Sequence, residues 1–263
     1  MSANKRAIKK NAKGISFLAV SGLGVGIFFV YALLYCVLIA VKAGITQPRQ
    51  FRALLGSAAF QTALFNTCIW MLVFSASVIL LALVIVYLLD DTPRTLYLLT
   101  VLSVAAVIPS VTITSVFNSF PAFVADHPRL ALFFLYLWKY TGICALILKA
   151  AAANIDPQLA EAAAIEGASK FTFFRRIYLF QILPHIKFLF VFDLIGFFRL
   201  FRESYLLYGL YPPQPVYFIQ NYLYNNFSNL NFQKISTASV IMMGALAAVN
   251  FAVIKMGDRN EAV

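Results

Sequence analysis

Three long runs of this chain contain no charged residue, and they constrain the fold more than any other feature. Residues 14–41, 53–89 and 95–125 lack Asp, Glu, Lys and Arg. Each run exceeds the roughly 20 residues that an α-helix needs to cross about 30 Å of hydrocarbon. The runs are continuously apolar rather than alternating in polarity, which favours helices over the strands of a membrane barrel. The sequence therefore predicts an all-α protein that crosses a membrane several times.

The overall composition supports the same class. The chain has 263 residues, of which 62% are hydrophobic and 12% charged, whereas a soluble domain is about half apolar and a quarter charged. That much apolar surface exceeds what one globular core of this size buries. We predict six transmembrane helices, at residues 15–41, 62–89, 95–119, 130–152, 186–208 and 235–254.

The net charge of +11 has two readings. In a soluble protein it would suggest a nucleic-acid partner. Here it fits the excess of Lys and Arg on the cytoplasmic flanks of membrane helices. With the N-terminus inside, thirteen basic residues fall in cytoplasmic segments and five in outside segments. We therefore predict a lipid bilayer rather than nucleic acid as the partner, a multi-pass protein of the cell (plasma or inner) membrane, and both termini in the cytoplasm.

The domain organisation is predicted to be simple. Residues 1–13 form a basic cytoplasmic tail, and residues 14–263 form a single transmembrane domain. The two histidines and three cysteines show no spacing typical of metal ligands. No metal site is predicted.

One segment, residues 156–184, is charged and alanine-rich although apolar stretches flank it. Asp156 and Pro157 suit the N-cap and first position of a short helix. Gly167 can adopt the left-handed conformation that ends a helix, and Ser169 can cap a second one. The pattern predicts a cytoplasmic helix, a glycine corner and an amphipathic helix.

The second of these helices should be amphipathic, and Pro184 should mark where the fifth span begins. Its apolar side chains at helical spacing are Phe171, Phe174, Ile177 and Tyr178. The small alanines of the first helix would let another surface approach its backbone, as in a helix that inserts into a groove. From the residues alone, an ordinary loop that packs against the membrane is equally consistent.

The same segment resembles the EAA motif of binding-protein-dependent ABC importer permeases of type I. That motif reads EAA, three residues, Gly, nine residues, and Ile-x-Leu-Pro. Phe180 replaces the family's proline, and Pro184 fits a second family proline four residues on. The matching residues are Glu161, Ala162, Ala163, Gly167, Ile177 and Leu179.

The resemblance extends over most of the chain and is to the sugar-permease subfamily. "ALFNT" at 63–67 is similar to the start of that subfamily's second span. "FRESYLLYG" at 201–209 and "STASVIMM" at 236–243 resemble its fifth span and the start of its sixth.

This resemblance implies a function. The EAA segment of the family is a coupling helix that docks into a cleft on a cytoplasmic ATPase subunit. By that resemblance Glu161 would contact the ATPase and Gly167 would permit the turn. The implied partners are a second related permease, a cytoplasmic ABC ATPase dimer and an extracytoplasmic solute-binding protein. The chain itself would need no cofactor and would not be an enzyme. It lacks the G-x-x-x-x-G-K-[ST] phosphate loop, so its partner subunits would bind ATP.

Charged residues inside the fifth span are the candidate solute path. Asp and Arg at the centre of a membrane helix each cost about 3 kcal/mol on insertion scales, so they should face protein or water. Two readings stay open. Arg199 and Glu203 could neutralise each other as i,i+4 partners. Alternatively, the group lines the path of a sugar: Asp193, Arg199, Arg202, Glu203 and Tyr205.

The sequence leaves open the partner of one lysine and the role of several tyrosines. Lys139 in the fourth span needs a partner, and Asp193 is one candidate. Tyrosines near the outer side could stack on sugar or anchor the protein at the interface, namely Tyr208, Tyr211, Tyr217, Tyr222 and Tyr224.

The prediction is a permease subunit of an ATP-driven importer of a sugar or oligosaccharide. Alternatives are the same family with another cargo, such as a polyamine, an ion-gradient-driven secondary transporter, and a membrane scaffold without transport.

Overall fold

The computed structural model describes residues 19, 21–46, 48–89 and 92–261, and every regular element in these ranges is helical. Contacts divide the chain into two compact units. The first comprises the described part of Met1–Ser57 together with Asn226–Gly244, and the second comprises Ala58–Asn225 with the described part of Ala245–Val263. The predicted basic tail, residues 1–13, lies outside the described residues, and the assignment of 14–263 to a single domain stays a prediction.

The helices are labelled here in chain order. Those of the N-terminal region are α1 (Ser21–Thr46) and α2 (Pro48–Leu55). Six follow as α3 (Ala58–Leu88), α4 (Pro93–Ser103), α5 (Ser110–Asn118), α6 (Pro121–Asp126), α7 (Pro128–Ala152) and α8 (Pro157–Ile165). Helix α9 joins Lys170–Phe173 to Leu179–Phe197 through a π-helical turn, Phe174–Tyr178. The last three are α10 (Leu200–Tyr208), α11 (Ile219–Ser228) and α12 (Phe232–Glu261).

Helix α7 is the centre of the second unit. It packs against α3, α4 and α9, and an aromatic cluster joins these helices in the core. The Phe74 ring lies 5.6 Å from the ring centroids of both Tyr136 and Phe197. All three side chains are buried. Lys139, Tyr140 and Thr141 of α7 are buried, so these polar side chains face other helices rather than lipid.

Gly142 in α7 fixes how closely α4 approaches. A methyl group on its Cα would lie 2.5 Å from the carbonyl carbon and oxygen of Leu102, far inside van der Waals contact. Only glycine therefore fits where the end of α4 crosses α7.

In the part of the chain that the structure describes, five helices are long and apolar enough to span a membrane, and a bent pair makes a sixth. This confirms the all-α polytopic fold. The predicted third span, residues 95–119, corresponds to a bent pair of helices, because Pro93–Ala106 and Ser110–Asn118 meet at 89°. Pro109 explains the break, since it lacks an N–H donor and disfavours a helical residue before it.

The expectation that Pro184 begins the fifth span was wrong. Pro184 lies inside α9, where it removes the hydrogen bond to the Phe180 carbonyl. The π-helical turn, Phe174–Tyr178, lies roughly two to three turns before Pro184 and widens the helix there. Its last bond joins the Leu179 N–H to the Phe174 carbonyl. The amphipathic segment and the fifth span are thus one continuous helix.

Candidate functional site

The charged segment folds as the sequence predicted, starting with the N-terminus of α8. The Asp156 carboxylate accepts a hydrogen bond of 2.9 Å from the Gln158 N–H. Pro157 occupies the first helical position, where its missing N–H costs nothing. The start of α8 is therefore capped by its own sequence.

A left-handed glycine closes α8. Gly167 has φ +77°, a conformation that costs other residues roughly 1–2 kcal/mol. The N–H of Ala168 donates to the Ala163 carbonyl at 2.9 Å, and the N–H of Gly167 donates to the Ala164 carbonyl at 3.0 Å. This pair of bonds is the Schellman motif. The predicted role of Gly167 is confirmed.

The second helix begins directly after the corner. The Ser169 hydroxyl accepts from the Thr172 N–H at 3.2 Å, which confirms its predicted cap. With both caps formed, α8, the corner and the first turn of α9 make a defined element, called here the elbow (residues 156–173).

Aromatic contacts hold the elbow against the end of α3. The ring of Phe174 lies 4.9 Å from that of Tyr87, and Phe171 lies 6.3 Å from it. The Lys170 ammonium lies 5.7 Å from the Tyr87 ring centroid. Tyr178 and Leu179 pack against the core. The predicted apolar face of this helix therefore does contact the membrane helices.

The six residues of the motif divide into two groups. Glu161, Ala162 and Gly167 are exposed on the elbow, and Ile165 beside them is 88% exposed. A cavity of about 660 Å³ lies between α8 and the ends of α4 and α7, and Glu161 contributes to its wall. Residues turned inward, buried or half-buried, are Ala163, Ile177 and Leu179. The elbow thus presents a narrow apolar and acidic surface on an anchored base.

A second cavity, called here the break cavity, lies where two helices are interrupted. Its volume is about 370 Å³. One wall is the stretch Ala106–Ser110, which includes the non-helical residues 107–109 between α4 and α5, and another is the Phe198–Arg199 junction between α9 and α10. Non-helical backbone at membrane depth occurs where it is buried in protein or lines a water-filled space. The breaks therefore mark this cavity as a polar opening among apolar helices.

A buried ion pair lies at the wall of the break cavity. The Lys139 ammonium lies 2.5 Å from a Glu203 carboxylate oxygen, and the Ser110 hydroxyl donates to the same oxygen at 2.7 Å. Lys139 is 8% exposed and Glu203 1% exposed. The contact joins α5, α7 and α10. It corrects two sequence interpretations, because Lys139 pairs with Glu203 rather than Asp193, and Glu203 pairs with Lys139 rather than Arg199.

The five candidate solute-path residues are not all at the break cavity. Arg199 and Arg202 line it, and Glu203 lies behind it in the ion pair. Asp193 is fully buried elsewhere, with the Cys144 sulfur 3.7 Å from its carboxylate. Tyr205 packs 5.5 Å from the Tyr224 ring and is absent from the lining. The structure therefore groups the two arginines and separates Asp193 from them.

Sequence reasoning missed how the loop before α11 is held. Asn66 donates to the carbonyls of Gln214 and Tyr217, at 2.8 and 3.2 Å. The Thr67 hydroxyl accepts from the Ile219 N–H at 2.8 Å. "ALFNT" was matched as a span start, but nothing in it signals a partner about 150 residues away.

Most of the five candidate tyrosines have structural roles. Tyr222 is buried against Phe60, and the Tyr208 hydroxyl donates to the Val124 carbonyl at 3.1 Å. Tyr217 contacts Asn225. Exposed surface remains on Tyr211 and Tyr224, at 68% and 39%.

Comparison with known proteins places these features in a family. Residues 91–259 match the binding-protein-dependent transport system inner membrane components. A stretch of 89 residues, 34% of this chain, is 33% identical to a protein of Caldicellulosiruptor sp. (strain Rt8B.4) that is provisionally named ABC transporter permease protein ORF1. The chain spans 64% of the length of that relative.

Two solved structures share the fold. One is a bacterial ABC transporter involved in the import of the acidic polysaccharide alginate, with a TM-score of 0.76 and 20% identity over 97% of this chain and 98% of that one. The other is the bacterial alginate ABC transporter in complex with an alginate pentasaccharide-bound periplasmic protein. Its TM-score is 0.77 at 20% identity, over 97% and 96% of the two chains.

Proposed function

Because the chain belongs to the family of binding-protein-dependent transport system inner membrane components, we propose that it is the permease subunit of an ATP-driven importer. It spans the membrane beside a second, related permease. A pair of cytoplasmic ATPase subunits binds and hydrolyses ATP, and an extracytoplasmic binding protein delivers the solute. The chain itself guides the solute and catalyses no reaction.

The elbow is the observation that carries this proposal. A surface that receives force from another polypeptide must keep its shape when pushed, and the elbow has a cap at each of its three helix ends. Its exposed face combines Glu161 with small and apolar side chains, which suits insertion of a short helix into a groove. The ATPase would close on this face and move α9 with it.

The positive-inside rule supports the orientation. Lys149, Lys170, Arg175 and Arg176 lie at the elbow end of the helices, and such residues collect on the cytoplasmic side. The elbow and both termini are then cytoplasmic. The loop held by Asn66 faces outside, where a binding protein would dock.

The proposed cargo is a sugar or oligosaccharide. The break cavity offers polar groups beside the aromatic side chains of Tyr140, Phe198 and Phe201, and sugars need both hydrogen bonds and an apolar stacking surface. Two solved transporters of the same fold are described as importers of alginate, which supports a saccharide over a polyamine.

The test reconstitutes the chain with its permease, ATPase and binding-protein partners in proteoliposomes. Glu161→Lys is compared with Glu166→Lys, the same charge reversal five residues further on. The first is expected to abolish both ATP-driven uptake of a labelled oligosaccharide pool and co-purification of the ATPase. Gly167→Trp should do the same, because a bulky residue strains the left-handed corner. The Glu166 variant should retain most of both.

Two results would contradict the proposal. One is a correctly inserted Glu161→Lys variant that imports normally and still binds the ATPase, which would remove the elbow from coupling. The other is uptake that persists without the ATPase and collapses with an ionophore, which would indicate an ion-gradient-driven transporter.

A further inference from the structure

The break cavity is lined by positive charge without compensating acid. Lys139, Arg199 and Arg202 contribute to its walls, and none of its described lining residues is Asp or Glu. Glu203 is engaged behind the wall by Lys139 and Ser110. The ion pair balances Lys139, so the net excess belongs to the two arginines.

Both arginines are in a costly position unless a polar partner meets them. They lie in the stretch Lys170–Tyr208, which is apolar enough to span a membrane, where a charged residue near the centre is unfavourable. Both are exposed, and among the described residues neither takes part in the ion pair of this region. Intramembrane arginines of this kind face a water-filled path and its anions.

The N-terminus of α5, after the break between α4 and α5, adds a positive electrostatic potential to that of the arginines. Helix α5 has nine residues and begins at Ser110 on the cavity wall. The N-terminus of a helix carries about half a positive charge from its aligned peptide dipoles. Discontinuous helices in transporters point such ends at anionic groups of the substrate. The arginines and the helix end therefore favour the same kind of ligand.

An aromatic surface continues from the cavity. Phe201 is part of the lining, and its ring lies 6.0 Å from Tyr205 and 5.4 Å from Tyr224. The latter two side chains are 40% and 39% exposed. A ligand that touches both regions needs an anionic group and a ring with an apolar face.

We propose, building on the import function above, that the cargo is an acidic saccharide and that Arg199 and Arg202 bind the carboxylate of a uronic-acid unit. Guanidinium groups match a carboxylate through paired hydrogen bonds. The cavity volume of about 370 Å³ lies at the low end for small-molecule sites. The site thus recognises one sugar unit of a longer chain. An acidic side chain of the second permease is the competing occupant, and the test separates the two.

The experiment uses the complete importer in proteoliposomes. The probes are labelled galacturonate, glucuronate and mannuronate oligosaccharides of two to five units, each paired with its carboxyl-reduced, neutral counterpart. Variants are Arg199→Gln and Arg202→Gln, their lysine equivalents, and Arg52→Gln in α2 as an exposed arginine outside the site. The same binding protein is present throughout, so differences between variants originate in this chain.

The wild-type importer is expected to take up acidic members in preference to their reduced counterparts. Each glutamine variant should raise the half-saturating concentration for acidic probes about 10- to 100-fold, as expected from losing charge-assisted hydrogen bonds, and should raise it by a clearly smaller factor for the neutral counterparts. Lysine variants should fall between, because charge remains and the paired geometry is lost. Arg52→Gln should match the wild type.

Four results would overturn the inference. Equal or better uptake of the neutral counterparts would remove acid recognition while leaving sugar import intact. Equal loss of acidic and neutral uptake in the glutamine variants would assign the arginines a structural role. Failure of those variants to retain the second permease on purification would assign them to an interface. Uptake of neither class by the wild type would instead refute saccharide import itself, and this inference with it.

Discussion

The Lys139–Glu203 ion pair gives the sharpest test of how this fold is held together. Both side chains are at least nine-tenths buried, so solvent screens their interaction little. Removing one partner of a buried pair costs about 3–5 kcal/mol, because it leaves an uncompensated charge. Replacing both with uncharged side chains of similar volume is often close to neutral. Single and double variants should therefore differ in a non-additive way.

The structure also ranks the two single variants. In Lys139→Met, Glu203 keeps the hydrogen bond from Ser110. In Glu203→Met, Lys139 keeps only a distant contact with the Tyr140 ring among the described residues, 5.9 Å away. We expect the Glu203 variant to lie near the upper end of the range and the Lys139 variant near the lower end. The double variant should lie within about 1–2 kcal/mol of the wild type.

The assay is the thermal midpoint of the purified importer in detergent, read as the fraction that stays monodisperse after heating. One kcal/mol shifts the midpoint of a protein of this size by roughly 2–4 °C, so single variants should lose about 6–20 °C. Ser115→Ala, whose exposed hydroxyl bonds within its own helix, serves as the control. A double variant as unstable as the worse single variant would refute the argument, since the loss would then not come from an orphaned charge.

Two further predictions concern packing of the helices. Gly142→Ala should destabilise the importer by about 1–3 kcal/mol in the same heating assay, because its methyl group meets backbone that has no room to move. The control is Gly244→Ala, where a methyl group would have nothing within 4 Å. Equal thermal midpoints for the two variants would contradict this prediction. Asn66→Ala should cost about 1–3 kcal/mol and speed amide hydrogen exchange in residues 214–219, whereas Ser77→Ala, whose hydroxyl bonds within its own helix, should leave exchange unchanged. Unaltered exchange in the Asn66 variant would mean that its two bonds do not hold the loop.

Local sequence signals predicted local structure well. The capping hydrogen bonds at Asp156, Gly167 and Ser169 join residues at most five positions apart. Both partners of each bond therefore lie within one short sequence pattern. The apolar runs predicted the helices for the same reason, because a span needs only its own length and hydropathy. The elbow was therefore accessible from sequence.

Long-range pairing was not accessible in this way. Glu203 lies 64 residues from Lys139, and sequence offered it the nearer Arg199, four residues away. The bend at Pro109 carried a visible signal, but membrane helices often tolerate proline, as α9 does at Pro184. No local pattern encodes the angle of 89° or the close approach of α4 to Gly142.

Helix α9 explains how an event at the elbow could reach the break cavity. The chain stays helical from Lys170 to Phe197, which at 1.5 Å per residue is roughly 40 Å. Its weakest stretch is the π-helical turn and the bond removed by Pro184, close to the elbow. Beyond that stretch an unbroken rod ends at the Phe198–Arg199 junction, on the cavity wall. Bending should therefore concentrate near the elbow while the rest of α9 moves as a body. A displacement of the elbow would reposition Arg199 relative to the α4–α5 break, and no chain of side-chain contacts is needed to transmit it.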